Sequence, residues 1–436
     1  MTELRVGLLG CGVVGQGVVR LLSEGARSIE ARLGRRLKVQ RVYVREQSPA
    51  RAKLPPELLT ADPAAIYGAA DIDIVIELIG GVDVAGSLVE AALRAKKPVV
   101  TANKALLAER AHELLAVARE SGVDLYYEAA VGGGVPVIRT LRESLASDRI
   151  IALSAILNGT SNYIVSQMTK RGIGFAEALL GAQQAGYAEA DPTLDVGGGD
   201  AAHKLALLAT LAFGARVSPR EITTEGITDI DAIDIKFAAR FGYVFKPLAI
   251  ARAFPDGSIG LRVHPALVPE TSIMAHVTDA LNTVHITGAA LGPCILTGPG
   301  AGAGPTAVSV VSDVIDVGRN LIAQSIGRVP PRGFLEEELQ TARVRDLGLR
   351  SCEYYMRFTV SDRPGVLAEL AGILGQHEVS IAHLVQDAQD DTPGAHVEVV
   401  LLTHGAREAQ VMEALAHIDA LPHMRGRARR FRIEEV

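Results

Sequence analysis

The sequence contains few cysteines, and their positions exclude the common roles of cysteine clusters. Cys11, Cys294 and Cys352 are the only three among 436 residues, and no two of them form a CxxC pair. Structural zinc sites and disulfide frameworks need more cysteines at close, regular spacing. We therefore expect neither feature, and we expect a protein of the reducing cytoplasm.

Long apolar segments and extended basic segments are absent as well. No apolar run reaches the ~20 residues that cross a bilayer, and the N-terminus lacks the basic head and cleavage site of a signal peptide. The formal net charge is −6, and the arginine cluster at 425–432 is short. These absences argue against a membrane protein and against a nucleic-acid partner. Hydrophobic residues at 48% and charged residues at 22% are typical of a globular protein, which favours a metabolic enzyme.

The length and the glycine content indicate how the chain is organised. A chain of 436 residues is too long for one compact core and predicts two or three domains. The 44 glycines cluster in particular loops, which favours close approach of the backbone to ligands.

The first 130 residues have the pattern of a dinucleotide-binding domain. Aliphatic strands alternate with helical segments, as in a doubly wound parallel sheet of the Rossmann type. The first strand, 4–9, leads directly into a GxGxxG loop and a helix. In such a loop the first glycine permits a tight turn, the second admits a pyrophosphate, and the third lets the helix pack on the strand. The predicted cofactor contacts of this loop are Gly10, Cys11, Gly12, Val13, Val14 and Gly15.

The choice between NAD and NADP depends on the end of the second predicted strand, 39–44. An acidic residue there binds the ribose of NAD, whereas an arginine accommodates the 2′-phosphate of NADP. Arg45 favours NADP, and the adjacent Glu46 leaves NAD open. Thr101 and Lys104 follow another buried strand, at the sheet edge where ligands bind, although the same residues fit a plain helix start.

The remainder of the chain predicts three further regions. Residues 131–305 contain short alternating strands and helices, which indicates an α+β substrate-binding and dimerisation domain with a mostly antiparallel sheet. A helix at 306–326 is expected to pack back on the first domain, and 327–350 has the composition of a linker. Residues 351–436 follow a βαββαβ order, which predicts a ferredoxin-like unit able to fold on its own.

Two charged residues begin an apolar helical segment. Asp200 and Lys204 are four residues apart, so both side chains lie on one face of a helix, near Leu207, Leu208 and Leu211. Apolar surroundings lower the pKa of a lysine and a nearby carboxylate raises it, which suits proton exchange near neutral pH. A surface ion pair of little energetic value explains the same spacing equally well.

Six stretches together form a specific pattern: GLLGCGVVG, VVTANKALLA, YYEAAVGGGVPVI, AILNGTSNYI, GYAEADPTLDVGGGDAAHKLALLA and GPGAGAGPTAVSVVSD. With them the chain resembles the homoserine dehydrogenase family over nearly its whole length. The resemblance implies interconversion of L-homoserine and L-aspartate 4-semialdehyde with a nicotinamide cofactor, in a homodimer or homotetramer. It also implies a single activity, since no aspartate kinase segment is recognisable.

The resemblance further implies roles for individual residues. Lys204 matches the proton donor and acceptor, with Asp200 beside it. The implied substrate-binding residues are Glu189, Asp200, Lys104 and Thr160. Beyond the first loop, the implied cofactor contacts are Arg45, Thr101, Lys104, Gly186 and Gly302. A monovalent cation, sodium or potassium, is implied at Glu128, Val131, Gly133 and Val135.

The segment FTVSDRPGVLAELAGIL, within the βαββαβ order, resembles an ACT domain, a regulatory module that binds amino acids. The implied effector is threonine, with methionine and isoleucine as alternatives, and a dimerisation module without an effector is the remaining alternative. For the whole chain, the rival functions are an amino-acid sensor or another semialdehyde reductase on the same fold. Intact Lys204, Asp200 and Glu189 argue against a sensor, and the absence of a cysteine in a nucleophile motif argues against a phosphorylating semialdehyde dehydrogenase.

Overall fold

The computed structural model describes residues 3–45, 54–387 and 396–436. The chain forms two compact units. The first unit comprises Met1–Gly159, Asp200–Ile222 and Leu281–Ala342. The second comprises Thr160–Gly199, Thr223–Ala280 and Arg343–Val436. In the part of the chain that the structure describes, no helix combines the length and the apolarity that crossing a membrane requires.

The elements of the first 130 residues alternate between strand and helix. They are β1 (Glu3–Leu9), α1 (Val13–Glu24), α2 (Ala26–Leu33), β2 (Arg36–Tyr43), β3 (Leu59–Thr60), α3 (Ala64–Tyr67), β4 (Ile74–Glu77), α4 (Asp83–Arg94), β5 (Val99–Thr101), α5 (Lys104–Ser121) and β6 (Leu125–Tyr126).

The elements of residues 131–342 are α6 (Val137–Arg139), β7 (Ile150–Ile156), α7 (Gly159–Arg171), α8 (Phe175–Gln184), α9 (Thr193–Val196), α10 (Gly199–Phe213), β8 (Ala215–Arg216), β9 (Thr223–Thr224), α11 (Ala232–Arg240), β10 (Tyr243–Ala253), β11 (Ile259–Pro269), β12 (Leu281–Gly288), β13 (Gly292–Pro299), α12 (Ala303–Ala323) and β14 (Gln340–Thr341). The C-terminal elements are β15 (Ser351–Cys352), β16 (Tyr354–Ser361), α13 (Val366–Gln376), β17 (Ile381–Asp387), β18 (His396–Thr403), β19 (Ala406–Arg407), α14 (Glu408–Asp419) and β20 (Arg429–Ile433).

In the first unit, six parallel strands form one sheet in the order β3-β2-β1-β4-β5-β6. Helices cover both faces, and accordingly Leu8 and Leu9, which point to opposite faces of β1, are both fully buried in separate apolar clusters. The predicted Rossmann-type sheet is confirmed. The strand order reverses between β1 and β4, and the carboxyl ends of these strands form the crevice where such sheets bind ligands.

The long helix α12 packs against the core of this sheet. Its Val310, Val314 and Val317 are fully buried in one apolar cluster with Leu4 and Val18 of the N-terminal segment. The first unit also contains the antiparallel strands β7, β12 and β13, in which Thr283 pairs with Ile156 and Thr297.

In the second unit, β10 and β11 form a long antiparallel hairpin, and β9 and β20 pair with β11 in parallel. The C-terminal strands follow in the order β20-β16-β18-β17, which is the ferredoxin-like order that was predicted. One consequence was not predicted. Because β20 pairs with β11, this βαββαβ region continues the sheet of the hairpin within one compact unit.

Candidate active site

The glycine loop lies at the carboxyl end of β1 and continues into the first turn of α1, which begins at Val13. Gly10 has a φ of +93°, and a Cβ there would lie 2.9 Å from the carbonyl oxygen of Leu78. A Cβ on Gly15 would lie 3.0 Å from the Gly10 oxygen, whereas one on Gly12 would meet nothing within 4 Å. The loop is therefore closed toward the sheet and open at Gly12. An open backbone at a helix N-terminus fits the pyrophosphate of a dinucleotide.

The three side chains between these glycines differ in exposure, and Val14 is half-buried. Val13 is 70% exposed, as a residue at the rim of a ligand site. Cys11 is 3% exposed, and burial raises the pKa of its thiol to about 11. A thiol in this state is a poor nucleophile at neutral pH, which agrees with its interpretation as a loop residue.

The carboxyl ends of β4 and β5 are joined by a buried carboxylate that sequence reasoning missed. Thr101 Oγ1 donates to Glu77 Oε2 at 2.6 Å, and Glu77 Oε1 accepts from the amides of Ile79 and Gly80. Thr101 Oγ1 also accepts from the amide of Asn103, whose side chain caps α5. Since the Thr101 hydroxyl is engaged in the wall of the crevice, a cofactor would meet this residue chiefly through its backbone.

Asp200 and Lys204 project from the same face of α10 into a buried site. Lys204 is 8% exposed and Asp200 is 1% exposed. Lys204 Nζ donates to Asp200 Oδ2 at 2.7 Å and to the main-chain oxygen of Leu157, just after β7, at 2.7 Å. A surface ion pair is excluded for this spacing. The ammonium is tolerated beside leucines because a carboxylate and a carbonyl replace its hydration.

A second ammonium shares the carboxylate of Asp200. Lys104, the first residue of α5, contacts Asp200 Oδ1, and Asn158 Nδ2 donates to Asp200 Oδ2 at 2.8 Å. Burial opposes ionisation of Asp200, but Lys204 and Lys104 outweigh it and hold the pKa of this carboxyl well below its usual range. Because Lys104 begins α5, three residues after the end of β5 at Thr101, the cluster lies at the ligand-binding edge of the parallel sheet.

Sequence reasoning also missed Asn282, the second residue of β12. Its Nδ2 donates to the Leu157 oxygen at 3.0 Å, so this carbonyl accepts from both Asn282 and Lys204. Asn282 reaches Leu157 because the pairing of β12 with β7 places Thr283 opposite Ile156. No local pattern in the sequence signals a contact between residues 125 positions apart.

Three predicted site residues lie together in the second unit. Thr160 Oγ1 donates to the Tyr187 oxygen at 2.6 Å, and Gln183 Nε2 donates to the Glu189 oxygen at 3.1 Å. Gly186 has a φ of +77° in the same loop. The Glu189 side chain is exposed, and its approach to Lys204 stays a prediction.

The predicted cation loop uses Glu128 in an unexpected way. Its two carboxylate oxygens accept from the amides of Ile138 and Arg139 at 2.9 and 2.7 Å, at the start of α6. Burial, together with the nearby Asp313, raises the pKa of Glu128 to about 7. Within the described residues, no group of three His, Cys, Asp or Glu side chains could hold a metal. An ion at Val131, Gly133 and Val135 would therefore rely on carbonyl oxygens, which suit a hard monovalent cation.

Two further predicted cofactor residues occupy loop positions. Arg45 follows β2 and is exposed, and Glu46 lies outside the described residues. Gly302 has a φ of +129° at the start of α12, a conformation that only glycine adopts readily. A Cβ on the nearby Gly133 would lie 2.3 Å from the Gly300 oxygen, so the glycine-rich loops at 132–134 and 298–304 are in close backbone contact.

Comparison with known proteins assigns the chain to a family. Residues 136–315 match the family model "Homoserine dehydrogenase", 10–128 match "Homoserine dehydrogenase, NAD binding domain", and 354–418 match "ACT domain". The homoserine dehydrogenase of Neisseria gonorrhoeae is 40% identical over 97% of this chain and 96% of its own length. The crystal structure of a homoserine dehydrogenase from Thiobacillus denitrificans has a TM-score of 0.93 and 42% identity, covering 99% of this chain and 98% of that one.

A third similar structure was solved with a cofactor. A hyperthermophilic archaeal homoserine dehydrogenase in complex with NADPH has a TM-score of 0.62 and 25% identity, over 72% of this chain and 97% of that chain. The family models and the full-length relatives agree with the glycine loop and the buried lysine–carboxylate cluster. The chain therefore belongs to the homoserine dehydrogenase family and is an NAD(P)-dependent oxidoreductase.

Proposed function

We propose that Lys204 exchanges the proton in the interconversion of L-homoserine and L-aspartate 4-semialdehyde, and that Asp200 fixes its position. The observation that carries this proposal is the pair of hydrogen bonds that position the Lys204 ammonium. Nζ lies 2.7 Å from both Asp200 Oδ2 and the Leu157 oxygen, and the side chains of Lys204 and Asp200 are almost fully buried. A general acid–base must be within hydrogen-bond reach and correctly oriented before its pKa matters. These two contacts supply the orientation.

The proposed chemistry balances at the substrate oxygen. A nicotinamide cofactor bound at the glycine loop would supply or take up the hydride. In reduction, negative charge develops on the aldehyde oxygen, and Lys204 gives that oxygen a proton. In oxidation, the neutral amine form of Lys204 accepts the hydroxyl proton and becomes the ammonium. Lys104 shares the Asp200 carboxylate and adds a second positive charge, which stabilises the developing alkoxide electrostatically.

The remaining substrate charges need partners of opposite sign. We assign the substrate ammonium to Glu189, with Thr160 in the same loop region of the second unit. The exposed carboxylate of Glu189 and the hydrogen bond between Thr160 and Tyr187 support this assignment. Gly186 and Gly302 would let the backbone approach the cofactor, as their positive φ angles allow.

The variant Lys204→Met tests the proton-transfer role. It keeps the apolar stem and removes the ammonium, so we expect turnover to fall by about a hundredfold or more while NADPH binding persists. Steady-state kinetics and a fluorescence titration with NADPH measure the two quantities. The matched control is Lys236→Met, which alters an exposed lysine on α11 and should leave turnover unchanged. Normal turnover in a folded Lys204→Met protein would contradict the proposal.

We propose a preference for NADP over NAD. The exposed Arg45 after β2 and the NADPH complex of the archaeal relative support it. In a homoserine-dependent reduction assay with each cofactor, Arg45→Ala should raise KM for NADP and leave KM for NAD nearly unchanged. An equal effect on both cofactors would contradict a contact with the 2′-phosphate.

We also propose regulation by threonine at the ACT domain. A cavity of about 280 Å³ lies at the turn from Asp362 to Gly365, where α13 begins. Helix N-termini accept carboxylates, which supports an amino-acid effector there. Threonine should change the activity of the wild type, and Arg363→Ala in the cavity wall should weaken the response. Activity that is indifferent to threonine favours a dimerisation module instead.

We further propose that the enzyme binds a monovalent cation and forms a homo-oligomer. We place sodium or potassium at the loop from Glu128 to Val135. The Gly133 oxygen already accepts from Ser309 and the Val135 oxygen from the amide of Val137, so an ion would use the remaining lone pairs of these carbonyls. Replacing these ions by a bulky organic cation in the assay tests this. A cytoplasmic homodimer or homotetramer completes the proposal, in keeping with the three free cysteines.

A further inference from the structure

The residues just before α10 lie against the 225–227 segment, which follows β9. The amide of Ile227 donates to the Val196 oxygen at 2.9 Å. A Cβ on Gly226 would lie 2.6 Å from the same oxygen and 3.0 Å from Gly197 Cα. The φ of Gly226 lies outside the left-handed region, so glycine is required here by space and not by backbone conformation. The two stretches of chain are therefore in direct backbone contact.

The same segment is anchored on β11 and encloses the glycine that precedes α10. β9 pairs with β11, and the amide of Glu225 donates to the Val263 oxygen at 2.8 Å. Gly198 has a φ of +85°, and a Cβ there would lie 2.9 Å from Thr224 Cγ2 and 3.1 Å from Val263 Cγ1. Because there is little free space around Gly198, a displacement of the 225–227 segment is passed on to the backbone there.

Asp200 is the first proposed active-site residue that such a displacement reaches. α10 begins at Gly199, and Asp200 is its second residue. Its Oδ2 accepts from Lys204 Nζ at 2.7 Å and from Asn158 Nδ2 at 2.8 Å. Both hydrogen bonds are short, so a small movement of the first turn of α10 lengthens and weakens them.

The side chain of Glu225 attaches the 225–227 segment to the C-terminal region. Its carboxylate accepts two hydrogen bonds from Arg432 on β20, at 3.0 and 2.8 Å, and one from Arg430 at 3.1 Å. Arg432 is 1% exposed and is also bound by Glu408 of α14. A buried arginine held by two carboxylates is a fixed partner, because breaking either pair leaves charge buried without compensation.

We propose that Glu225 and Gly226 are positioning residues of the active site, through which β20 fixes the first turn of α10 and hence Asp200. Their effect on the reaction is exerted through the hydrogen bond between Asp200 and Lys204. The inference rests on the proposed role of Lys204 in proton exchange. It makes the C-terminal region part of the structure that positions the catalytic groups, even without an effector.

The variants Glu225→Gln and Gly226→Ala test this inference in two ways. The first removes the charge that Arg432 binds, and the second places a Cβ against the Val196 oxygen. Each should lower kcat for the reduction of L-aspartate 4-semialdehyde by about three- to tenfold, while KM for NADPH changes by less than about twofold. Circular dichroism verifies that each variant is folded at the assay temperature, and either variant alone suffices if the other is unstable.

The pH dependence of kcat separates positioning from a general loss of structure. In reduction Lys204 must be an ammonium, and an ammonium that lies farther from its carboxylate loses its proton more easily. Lys104, the other cation at Asp200, acts in the same direction. The alkaline limb of the pH profile should therefore move to lower pH by about 0.5 unit or more in both variants. A loss of folded protein alone would lower kcat equally at every pH.

Two control variants make the same chemical changes elsewhere in the C-terminal region. Glu408→Gln removes the other carboxylate of Arg432. Gly372→Ala adds a Cβ within α13, where it would meet nothing within 4 Å. Both should retain the kcat and the pH profile of the wild type, although Glu408→Gln should lower Tm.

A wild-type pH profile in folded Glu225→Gln and Gly226→Ala would overturn the inference, and so would an equal shift of the limb in Glu408→Gln. Lys204→Met distinguishes this failure from a failure of the proposed function. If Lys204→Met is inactive while the limb stays in place in the positioning variants, the proton-transfer role stands and only the role of Glu225 and Gly226 is lost. Normal turnover in Lys204→Met would remove both.

Discussion

The Leu157 carbonyl is the smallest unit on which the active site depends. It accepts from Lys204 Nζ at 2.7 Å and from Asn282 Nδ2 at 3.0 Å. Asn282 is 1% exposed, and its Oδ1 has no hydrogen-bond partner within the described residues. Burying an amide whose oxygen accepts no hydrogen bond destabilises the fold. The contribution of Asn282 to the active site therefore comes from the hydrogen bond that its Nδ2 donates. That bond fixes the carbonyl against which Lys204 is oriented.

Asn282→Ala should therefore lower kcat about tenfold, the equivalent of one hydrogen bond near a charged group. KM for NADPH should remain close to that of the wild type, because Asn282 supports the lysine rather than the cofactor. Steady-state kinetics measure both constants. The control is Asn162→Ala, which removes another buried asparagine that donates to Val277 and Asp279 in the second unit. A comparable fall in kcat in this control would show that the effect is merely structural.

A second substitution addresses the same contact from the other side. A Cβ on Gly300 would lie 2.1 Å from Asn282 Oδ1, so Gly300→Ala must displace the amide. If Gly300→Ala acts by displacing Asn282, it should lower kcat in the wild type but cause little further loss of kcat in the Asn282→Ala variant. If the losses in kcat of the two single variants simply add in the double variant, Gly300→Ala does not act through Asn282.

At the scale of elements, the contact between α1 and α12 supports the cofactor loop. A Cβ on Gly17 would lie 2.3 Å from the Ala303 oxygen and 3.3 Å from Ala307 Cβ. Gly17→Ala should therefore force the helices apart and destabilise the protein by about 1–3 kcal/mol. NADPH affinity should fall too, since α1 begins within the glycine loop. Urea unfolding and an NADPH titration test this.

Gly181→Ala is the matched control for Gly17→Ala. Gly181 lies within α8, and a Cβ there would meet nothing within 4 Å. We expect it to be neutral or to stabilise by up to about 1 kcal/mol, because alanine reduces the freedom of the unfolded chain. If both variants lose stability equally, close packing at Gly17 is not the cause.

Elements with local signals were predictable, and those that depend on distant partners were not. The first strand, which ends before Gly10, and the four-residue spacing of Asp200 and Lys204 could be recognised from the adjacent sequence alone. The alternating pattern of the sequence extends only over 248–253 and 259–263, yet β10 begins at Tyr243 and β11 ends at Pro269. Lys246 interrupts the apolar pattern of β10, so the sequence does not show that the strand begins earlier. Its ammonium is nevertheless buried, because it donates to the Val277 oxygen, 31 residues away.

At the scale of the whole molecule, ion pairs attach the C-terminal region to its neighbours in the second unit. Arg432 on β20 donates to Glu225 at 3.0 and 2.8 Å and also binds Glu408. Burial opposes ionisation of Glu225, but the adjacent Arg432 lowers its pKa to about 2. A carboxyl whose pKa is lower in the folded state than in the unfolded state stabilises the fold above its unfolded pKa. That contribution is lost as the pH falls toward the folded pKa.

Glu225→Gln should accordingly lower Tm at neutral pH, and its difference from the wild type should shrink between about pH 5 and pH 3. Thermal unfolding followed by circular dichroism across this range measures the difference. Glu109→Gln makes the same charge change at an exposed carboxylate that has no ion pair within the described residues. A Tm difference for Glu225→Gln that is independent of pH would rule out the ion pair as its source.

Removal of residues 351–436 should destabilise the rest of the second unit instead of releasing an independent module. Without them β11 loses its pairing with β20 at Ala266 and Leu267. Asp234, fully buried, loses its bonds from Tyr355 and Arg357, and Arg262 loses Glu434. Removing one partner of a buried ion pair typically costs about 3–5 kcal/mol.

We therefore expect the shortened chain to melt at a lower temperature and to aggregate, even though the archaeal relative aligns with only 72% of this chain. Adding Asp234→Asn and Arg262→Gln to the shortened chain should recover part of the lost Tm, because neither replacement leaves a buried charge. In the full-length chain the same two substitutions should lower Tm, because they break pairs that are intact there. A shortened chain that melts as the full-length chain does would mean that these pairs and the β11–β20 contact contribute little, and that the ACT region is an independent domain after all.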